Sequence, residues 1–269
     1  MNILKNLIYI SMVSCHLFAN SQVTQEIVNL KTRDDVTMRV LLLSPKEPKA
    51  SLILFAGGHG GLRIYPNGSM QWGENNFLIR TKSIFAELGV NVAIVDAPSD
   101  RLRPPFLSGF RNSEEHFKDI KALTILLKNK YSVPIWLVGT SRGTESAASN
   151  GIKLQDENEV KGIILTSSIL IGLKSAQTGQ DVNPIPDMAL NKYKKPVLIV
   201  HHEKDECIVT KFSDLNKLSS ILNSNNRNEV VIYSEGITQG DACQAMSHHG
   251  FNGIEQQVVS KIVDWVIKN

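Results

Sequence analysis

The sequence has no run of like charges, no internal repeat, no low-complexity segment and no linker rich in proline, glycine or serine. Its 29 basic and 26 acidic residues are scattered along the chain and leave a formal net charge of only +3. Without a basic stripe or tail, nucleic acid is not an expected partner. With 42% hydrophobic and 20% charged residues, the composition is that of an ordinary globular protein. It excludes the disordered, collagen-like and coiled-coil classes.

The N-terminus lacks the long apolar run of a transmembrane helix. One early lysine, Lys5, precedes an apolar stretch at residues 7–19, which is about 13 residues long. A spanning helix needs about 20 residues. The pattern predicts a signal peptide over residues 1–21 that is cleaved on export, to the periplasm or outside the cell, and no transmembrane anchor. Two alternatives are a lipoprotein signal, in which Cys15 becomes a lipid anchor, and a buried N-terminal helix.

Cysteine is scarce, with three residues in the chain. If Cys15 leaves with the signal peptide, the mature chain at residues 22–269 keeps Cys207 and Cys243. An even number of cysteines in an exported protein favours a disulfide between them. Two unrelated buried thiols are the alternative. Because no linker divides residues 22–269, we expect them to form a single domain.

Short apolar segments alternate with longer segments of helical period. The predicted strands are 51–55, 90–95, 135–138, 162–165, 197–200 and 230–233. Most are apolar on both faces, as in a parallel sheet covered by helices on each side, which predicts an α/β fold. Two more strands within residues 23–43, around a turn at 33–35, could form an antiparallel edge. Helices are predicted at 76–88, 113–129, 144–150, 209–222 and 253–267.

A Gly-x-Ser-x-Gly motif, Gly139-Thr140-Ser141-Arg142-Gly143, follows the third predicted strand and opens a predicted helix. In such a tight turn the glycines leave room for neighbouring backbone, and the serine hydroxyl is lifted above the sheet. Ser141 is therefore a candidate nucleophile. A glycine-rich connection with an ordinary capping serine is the alternative.

A serine hydroxyl becomes a useful nucleophile when a base takes its proton and an acid orients that base. Asp205 follows the predicted strand at 197–200, and a histidine pair follows the last predicted strand. The chain order Ser, Asp, His and the motif around Ser141 resemble the α/β-hydrolase superfamily over nearly the whole mature chain. The resemblance implies the α/β-hydrolase fold, with a mostly parallel central sheet, helices on both faces and a small or absent cap.

The resemblance further implies catalytic roles for three residues: Ser141 as nucleophile, Asp205 as acid and His249 as base. His249 is preferred to its neighbour His248 because a glycine follows it, as is common after the base in this superfamily. Asp241 is the rival for the acid, since its loop also approaches the histidine pair. Two histidines of a surface loop are the alternative for the base.

Glycine dominates the segment Gly57-Gly58-His59-Gly60-Gly61 after the first predicted strand of the core. Glycine lets backbone N–H groups come close to a reacting atom. The resemblance implies an oxyanion hole with one donor from Gly58 or His59 and a second from Arg142. A flexible turn is the alternative. A phosphate-binding loop is not expected, because neither Gly-x-Gly-x-x-Gly nor Gly-Lys-Ser/Thr is present.

The resemblance also bears on the cysteines. If Asp205 and His249 meet over Ser141, the loops that carry Cys207 and Cys243 come together. A disulfide between these loops is then geometrically reasonable.

The remaining histidines and loops carry weaker signals. His201 and His202 are expected to be structural rather than metal ligands, because no further cluster completes a metal site. His116, on a predicted helix, is expected to be solvated. The loops 63–76 and 98–109 are expected to overhang the cleft as mixed polar and aromatic walls. Within them, Arg101 and Arg103 could hold an acidic substrate, although solvated loop charges are the commoner case.

The motif and the resemblance imply a secreted serine hydrolase that cleaves a carboxylic ester, thioester or amide through an acyl-serine intermediate. The expected substrate is a small molecule or a short-chain acyl compound, and the chemistry requires no metal or organic cofactor. A serine-type peptidase of the same fold and a non-catalytic α/β-hydrolase-like binding protein are the alternatives.

Overall fold

The computed structural model describes residues 23–174, 182–222 and 227–269. The predicted signal peptide at residues 1–21, with Cys15, lies outside the described residues. Eight strands are present in the described ranges: β1 Thr24–Arg33, β2 Val36–Ser44, β3 Ser51–Phe55, β4 Asn91–Val95, β5 Ile135–Thr140, β6 Val160–Thr166, β7 Val197–His202 and β8 Asn228–Tyr233. They form one sheet in the order β1-β2-β4-β3-β5-β6-β7-β8.

The sheet is mostly parallel. Strands β3 to β8 pair in parallel with their neighbours, whereas β1 pairs with β2, and β2 with β4, in antiparallel fashion. The predicted antiparallel edge is therefore confirmed. Because parallel strands point the same way, the loops that follow β3, β5, β7 and β8 leave the sheet at one edge. These loops carry the residues that the sequence singles out for chemistry.

The helices of the described residues are α1 Phe77–Arg80, α2 Lys82–Glu87, α3 Glu114–Tyr131, α4 Gly143–Lys153, α5 Asn216–Leu222 and α6 Glu255–Lys268. Apolar side chains of α1, α2 and α6 cover one face of the sheet, and those of α3, α4 and α5 cover the other. Trp265 of α6 packs edge-on against the buried Trp136, with ring centroids 5.1 Å apart. None of the helices in these ranges is long and apolar enough to cross a membrane.

Two predicted helices differ from the structure. The predicted helix 76–88 is divided into α1 and α2 at Thr81, whose hydroxyl donates to the carbonyl of Phe77. The predicted helix 209–222 begins only at Asn216. Its first part is held by tertiary contacts, because the hydroxyl of Thr210 donates to Asp205 and its carbonyl accepts from a buried histidine. These side-chain contacts replace the helical hydrogen bonds that the local pattern favours.

His116 is buried, so the expectation that it is solvated is wrong. Its helix, α3, is capped by the Ser113 hydroxyl, which accepts the backbone N–H of His116. The imidazole lies against the rings of Phe55 and Phe110, and its Nε2 is 3.0 Å from the Ser146 hydroxyl. Burial lowers the pKa of His116 to about 3, so the ring is neutral at neutral pH.

Candidate active site

Ser141 lies at the sharp turn between β5 and α4. Its φ of +52° is in the left-handed region, which non-glycine residues rarely adopt. The turn is fixed because the Ser141 N–H donates to the carbonyl of Thr166 on the neighbouring strand, at 3.0 Å. Such strained backbone is found disproportionately at functional sites.

The two glycines of the motif are required by close backbone packing. A Cβ atom at Gly139 would lie 2.4 Å from the carbonyl oxygen of Gly143. A Cβ atom at Gly143 would lie 2.0 Å from the carbonyl oxygen of Phe55. Contacts this short are sterically forbidden, so the Gly-x-Ser-x-Gly spacing follows from the way α4 packs against β3 and β5.

The structure brings Asp205 and His249 together. Asp205 follows β7 and is fully buried, and His249 lies in a short 3₁₀ turn after β8. His249 Nδ1 and Asp205 Oδ2 are 3.0 Å apart, and the backbone N–H of Cys207 donates to the other carboxylate oxygen at 3.0 Å. Burial alone would raise the pKa of Asp205. The charge and hydrogen bond of His249 outweigh burial, so this pKa lies below its ordinary value.

Thr210 contacts both Asp205 and His249, and its role was not predicted from the sequence. Its hydroxyl donates to Asp205 Oδ2 at 2.9 Å and lies 3.0 Å from His249 Nδ1. The side chain is buried beside both groups and limits their movement. The local pattern places Thr210 in a helix and carries no signal for this role.

Ser141 and His249 line the same cavity, which has a volume of about 470 Å³. Because Asp205 engages Nδ1, the Nε2 atom of His249 is the nitrogen left to exchange a proton. Among the hydrogen bonds of the described residues, none joins the Ser141 hydroxyl to His249. Catalytic hydrogen bonds are often long in enzymes without substrate and shorten when substrate binds.

The other histidines near the site have other hydrogen-bond partners, although His201 Nε2 also lies 3.7 Å from Asp205 Oδ2. His248 stacks on His202, with ring centroids 4.5 Å apart, and so lies away from Asp205. His202 Nε2 is bonded to the carbonyl of Glu235, and His201 Nε2 to a backbone carbonyl at 2.7 Å. Within residues 23–174, 182–222 and 227–269, no group of three or more His, Cys, Asp or Glu side chains could hold a metal ion.

The rival acid, Asp241, is exposed, and its backbone carbonyl accepts the N–H of Gln244 at 2.9 Å. Neither His248 nor His249 has Asp241 as a hydrogen-bond partner in the structure.

The glycine-rich loop after β3 lies directly beside Ser141. A Cβ atom at Gly57 would be 3.0 Å from the Ser141 Cβ, and Gly58 lines the cavity with a φ of +57°. In the part of the chain that the structure describes, no backbone carbonyl accepts the N–H of Gly58 or of Arg142. The His59 ring is stacked between Trp72 and Phe106, at centroid distances of 3.9 and 4.4 Å.

Arg111 holds this loop through hydrogen bonds to its backbone. The sequence gives no indication of this role. It is buried, and its guanidinium donates to the carbonyls of Ala56 and Gly58 at 3.0 and 3.3 Å and to the Ser146 hydroxyl at 2.9 Å. Burial lowers the pKa of Arg111 to about 10, which leaves it charged at neutral pH. A buried cation with fixed acceptors holds the loop in one conformation.

The prediction that loops 63–76 and 98–109 form the walls of the cleft is only partly correct. Loop 63–76 contributes Trp72 to the cavity, but Tyr65 and Arg103 line a second cavity instead, and Arg101 stacks on the Phe110 ring. The reason is Asp96, whose carboxylate accepts the N–H groups of residues 62–64 and holds the start of that loop away from Ser141.

A disulfide joins Cys207 and Cys243, at a sequence separation of 36. It connects the loop of Asp205 to the loop of His249, and Cys243 lines the cavity. The predicted pairing is therefore present in the structure.

No protein-family model and no curated protein sequence matches this chain. Solved structures do match it. A dienelactone hydrolase from Anabaena variabilis is 14% identical, with a TM-score of 0.64 over 92% of this chain and 98% of the other. An esterase from Pyrococcus furiosus is 14% identical, with a TM-score of 0.62 over 91% of this chain and 93% of the other. An alpha-beta serine hydrolase homologue from Coxiella burnetii is 18% identical, with a TM-score of 0.52 over 91% of this chain and 96% of the other. With the strand order and the Ser141 turn described above, these matches confirm the resemblance seen in the sequence: this chain has the α/β-hydrolase fold.

Proposed function

We propose that this protein is a serine hydrolase that cleaves a small carboxylic ester through an acyl-Ser141 intermediate. The observation that carries the proposal is the buried contact between Asp205 and His249 Nδ1, placed beside the cavity that Ser141 lines. An imidazole held in one tautomer by a carboxylate, next to a serine on a strained turn, is the arrangement that serine hydrolases of several folds share.

The reaction has two similar halves. As Ser141 Oγ attacks the acyl carbon, His249 Nε2 takes its proton, and Asp205 stabilises the imidazolium. The carbonyl oxygen becomes an oxyanion, which accepts the N–H groups of Gly58 and Arg142. The tetrahedral species collapses as the C–O bond to the alcohol breaks, and His249 gives its proton to the leaving oxygen. Water, deprotonated by His249, then attacks the acyl carbon. The bond from this carbon to Ser141 Oγ breaks, His249 returns the proton to Ser141 Oγ, and the acid is released.

In the glycine-rich loop after β3, the backbone N–H of Gly58 is a better candidate than that of His59 for the first donor to the oxyanion. Gly58 lines the cavity beside Ser141, while the His59 Nδ1 accepts the N–H of Gly61 and its ring is stacked away on two aromatic rings. The positive φ of Gly58 and the Arg111 bond to its carbonyl support a fixed orientation of this loop.

The size and lining of the cleft support a small-molecule or short-chain acyl substrate. The cavity of about 470 Å³ is at the lower end of ordinary ligand sites. Polar side chains share its wall with a few apolar ones; those present include Gln71, Glu74, Asn75, Gln244, Met70, Trp72 and Phe77. Esterases and a dienelactone hydrolase among the structural matches support an ester rather than a thioester or an amide.

Export is part of the proposal. The mature protein would span residues 22–269 as one domain, and a disulfide supports an oxidising compartment. The mass of the N-terminus of protein recovered from cells distinguishes cleavage near residue 21 from lipidation at Cys15.

The test is labelling of the oxidised protein with a fluorophosphonate probe, which reacts with activated serines. Labelling is expected for the wild type and for the matched control His248→Ala, and it is expected to be lost in Ser141→Ala and His249→Ala. Hydrolysis of p-nitrophenyl esters from acetate to decanoate then gives the acyl-length preference, with short chains favoured.

Other outcomes would revise the proposal. Labelling without ester turnover, but with cleavage of peptide p-nitroanilides, would indicate a peptidase. If folded wild-type protein is not labelled at all, the hydrolase function is wrong and a non-catalytic binding protein becomes the better interpretation.

A further inference from the structure

A second cavity lies beside the start of loop 63–76. Its volume is about 500 Å³, and it shares Gln71 with the Ser141 cleft. Three arginines line it: Arg39 on β2, Arg63 on the loop, and Arg103 on loop 98–109. None of these side chains has a role in the ester hydrolysis proposed above.

The positive charge in this cavity has no ion-pair partner. Within the described residues, Arg39, Arg63 and Arg103 form no salt bridge with a carboxylate. By contrast, Arg33 pairs with two aspartates and Arg80 with Glu255. The three arginines that line this cavity place like charges near one another, and an anion bound in the cavity would reduce their mutual repulsion.

Neutral acceptors hold two of the guanidinium groups in place. Arg39 donates to the Asn29 side-chain oxygen at 2.8 Å and to the carbonyl of Ile64 at 2.6 Å. Arg63 donates to the Gln71 side-chain oxygen at 2.7 Å and to a backbone carbonyl at 3.1 Å. These bonds fix the orientation of the guanidinium planes without neutralising them. A ligand therefore meets preorganised cations, which reduces the entropic cost of binding.

Asp96 is the one carboxylate in the described lining of the cavity, and its acceptor sites are occupied. It accepts four backbone N–H groups, from residues 62–64 and from Ala97, at 2.7 to 3.0 Å. The residue is buried, with 3% of its surface exposed. Asp96 thus anchors the backbone that presents Arg63, and the three arginines outnumber it in charge.

We propose that this cavity binds a small organic anion that carries a phosphoryl group. One carboxylate is satisfied by a single guanidinium, whereas a phosphoryl dianion offers three oxygens and two charges to several of them. The hydroxyl of Ser99, which accepts the Thr37 N–H, can donate its own proton to the same group. The exposed side chains of Tyr65 and Leu102 provide an apolar wall for the organic part of the ligand.

The test is isothermal titration calorimetry of the oxidised, full mature protein at low, constant ionic strength with phenyl phosphate, inorganic phosphate and benzoate. Saturable binding at one site is expected, with phenyl phosphate binding tighter than inorganic phosphate and much tighter than benzoate. Arg39→Gln, Arg63→Gln and Arg103→Gln are each expected to weaken phenyl phosphate binding about tenfold, as for the loss of a hydrogen bond to a charged group.

Arg101→Gln is the matched control, because it removes the same charge from the same loop. The Arg101 guanidinium stacks on Phe110 and does not line the cavity, so binding is expected to change less than twofold. Arg103→Gln is the variant least expected to disturb the fold, since the Arg103 side chain has no hydrogen bond to another described residue. A loss of binding in this variant therefore reports on the ligand contact. Each variant is also checked by its thermal midpoint without ligand.

Three results would overturn the proposal: no saturable binding of phenyl phosphate at millimolar concentration, an equal loss in Arg101→Gln, or benzoate binding as tightly as phenyl phosphate. Because the readout is binding, these results do not depend on whether the protein hydrolyses esters.

Discussion

The imidazole of His116 is buried against two aromatic rings, and its pKa is lowered to about 3. In the unfolded chain a histidine has a pKa near 6.5. Between these two values the unfolded chain binds a proton that the folded protein does not. The contribution of His116 to stability is therefore fully present above about pH 6.5 and is lost as the pH falls, by up to about 1.4 kcal/mol per unit.

His116→Gln is expected to reduce this pH dependence, because glutamine can keep the bond to the Ser146 hydroxyl and does not titrate. Urea unfolding at pH 7 and pH 4.5 measures the effect. The wild type should lose more unfolding free energy between these two pH values than the variant does. Equal losses in the two proteins would show that His116 is not buried as a neutral group.

Thr210 holds both members of the Asp205–His249 pair through one hydroxyl. Thr210→Val keeps the volume and removes this donor, so the carboxylate and the imidazole lose a shared restraint. We expect kcat for a short p-nitrophenyl ester to fall about five- to tenfold, the size of one hydrogen bond, with little change in KM. Thr210→Ser retains the hydroxyl and is expected to keep most of the activity; a loss in both variants would instead indicate a packing role.

At the scale of elements, the turn from β5 to α4 brings backbone atoms so close together that a Cβ atom at Gly143 has no room. Gly143→Ala would place a Cβ 2.0 Å from the carbonyl oxygen of Phe55, and this atom belongs to a central strand that cannot move. We expect a loss of unfolding free energy of more than about 3 kcal/mol, or failure to fold, measured by urea unfolding.

Gly89→Ala is the control that separates the free-energy cost of a steric clash from the cost of a left-handed backbone. Gly89 has a φ of +92°, but nothing lies within 4 Å of a Cβ built there. Its substitution is expected to cost only about 1–2 kcal/mol for the left-handed backbone. If Gly143→Ala cost no more than this control, the packing of α4 against β3 would be looser than the structure indicates.

The elements that sequence predicts well are those whose signal is local. The central strands are continuous apolar runs, and β5 leads directly into the glycine-spaced turn at Ser141, so both follow from composition and pattern. The start of the predicted helix 209–222 fails because Thr210 bonds to Asp205, a residue whose position only the folded chain defines. Tertiary contacts of this kind override helical pattern.

The candidate site likewise contains residues that have a signal in the sequence and residues that have none. Ser141, Asp205 and His249 can be selected from sequence because a motif and the order of loops after strands identify them. Arg111 carries no motif. Its importance comes from burial beneath the Gly58 loop, which brings together residues far apart in sequence. The second cavity likewise combines β2 with two loops, and its arginines are individually unremarkable in the sequence.

At the scale of the whole molecule, the disulfide between Cys207 and Cys243 closes a loop with a sequence separation of 36. In the chain-entropy model this restriction of the unfolded chain stabilises the protein by about 3–4 kcal/mol. Reduction with dithiothreitol is expected to lower the unfolding free energy by that amount, measured by urea unfolding. A Cys207→Ala, Cys243→Ala double variant should already have the lower stability and should not respond to dithiothreitol. Two free thiols in unreduced, denatured wild-type protein would show that the disulfide does not form, and the structural link between the acid and base loops would then rest on the Asp205–His249 contact alone.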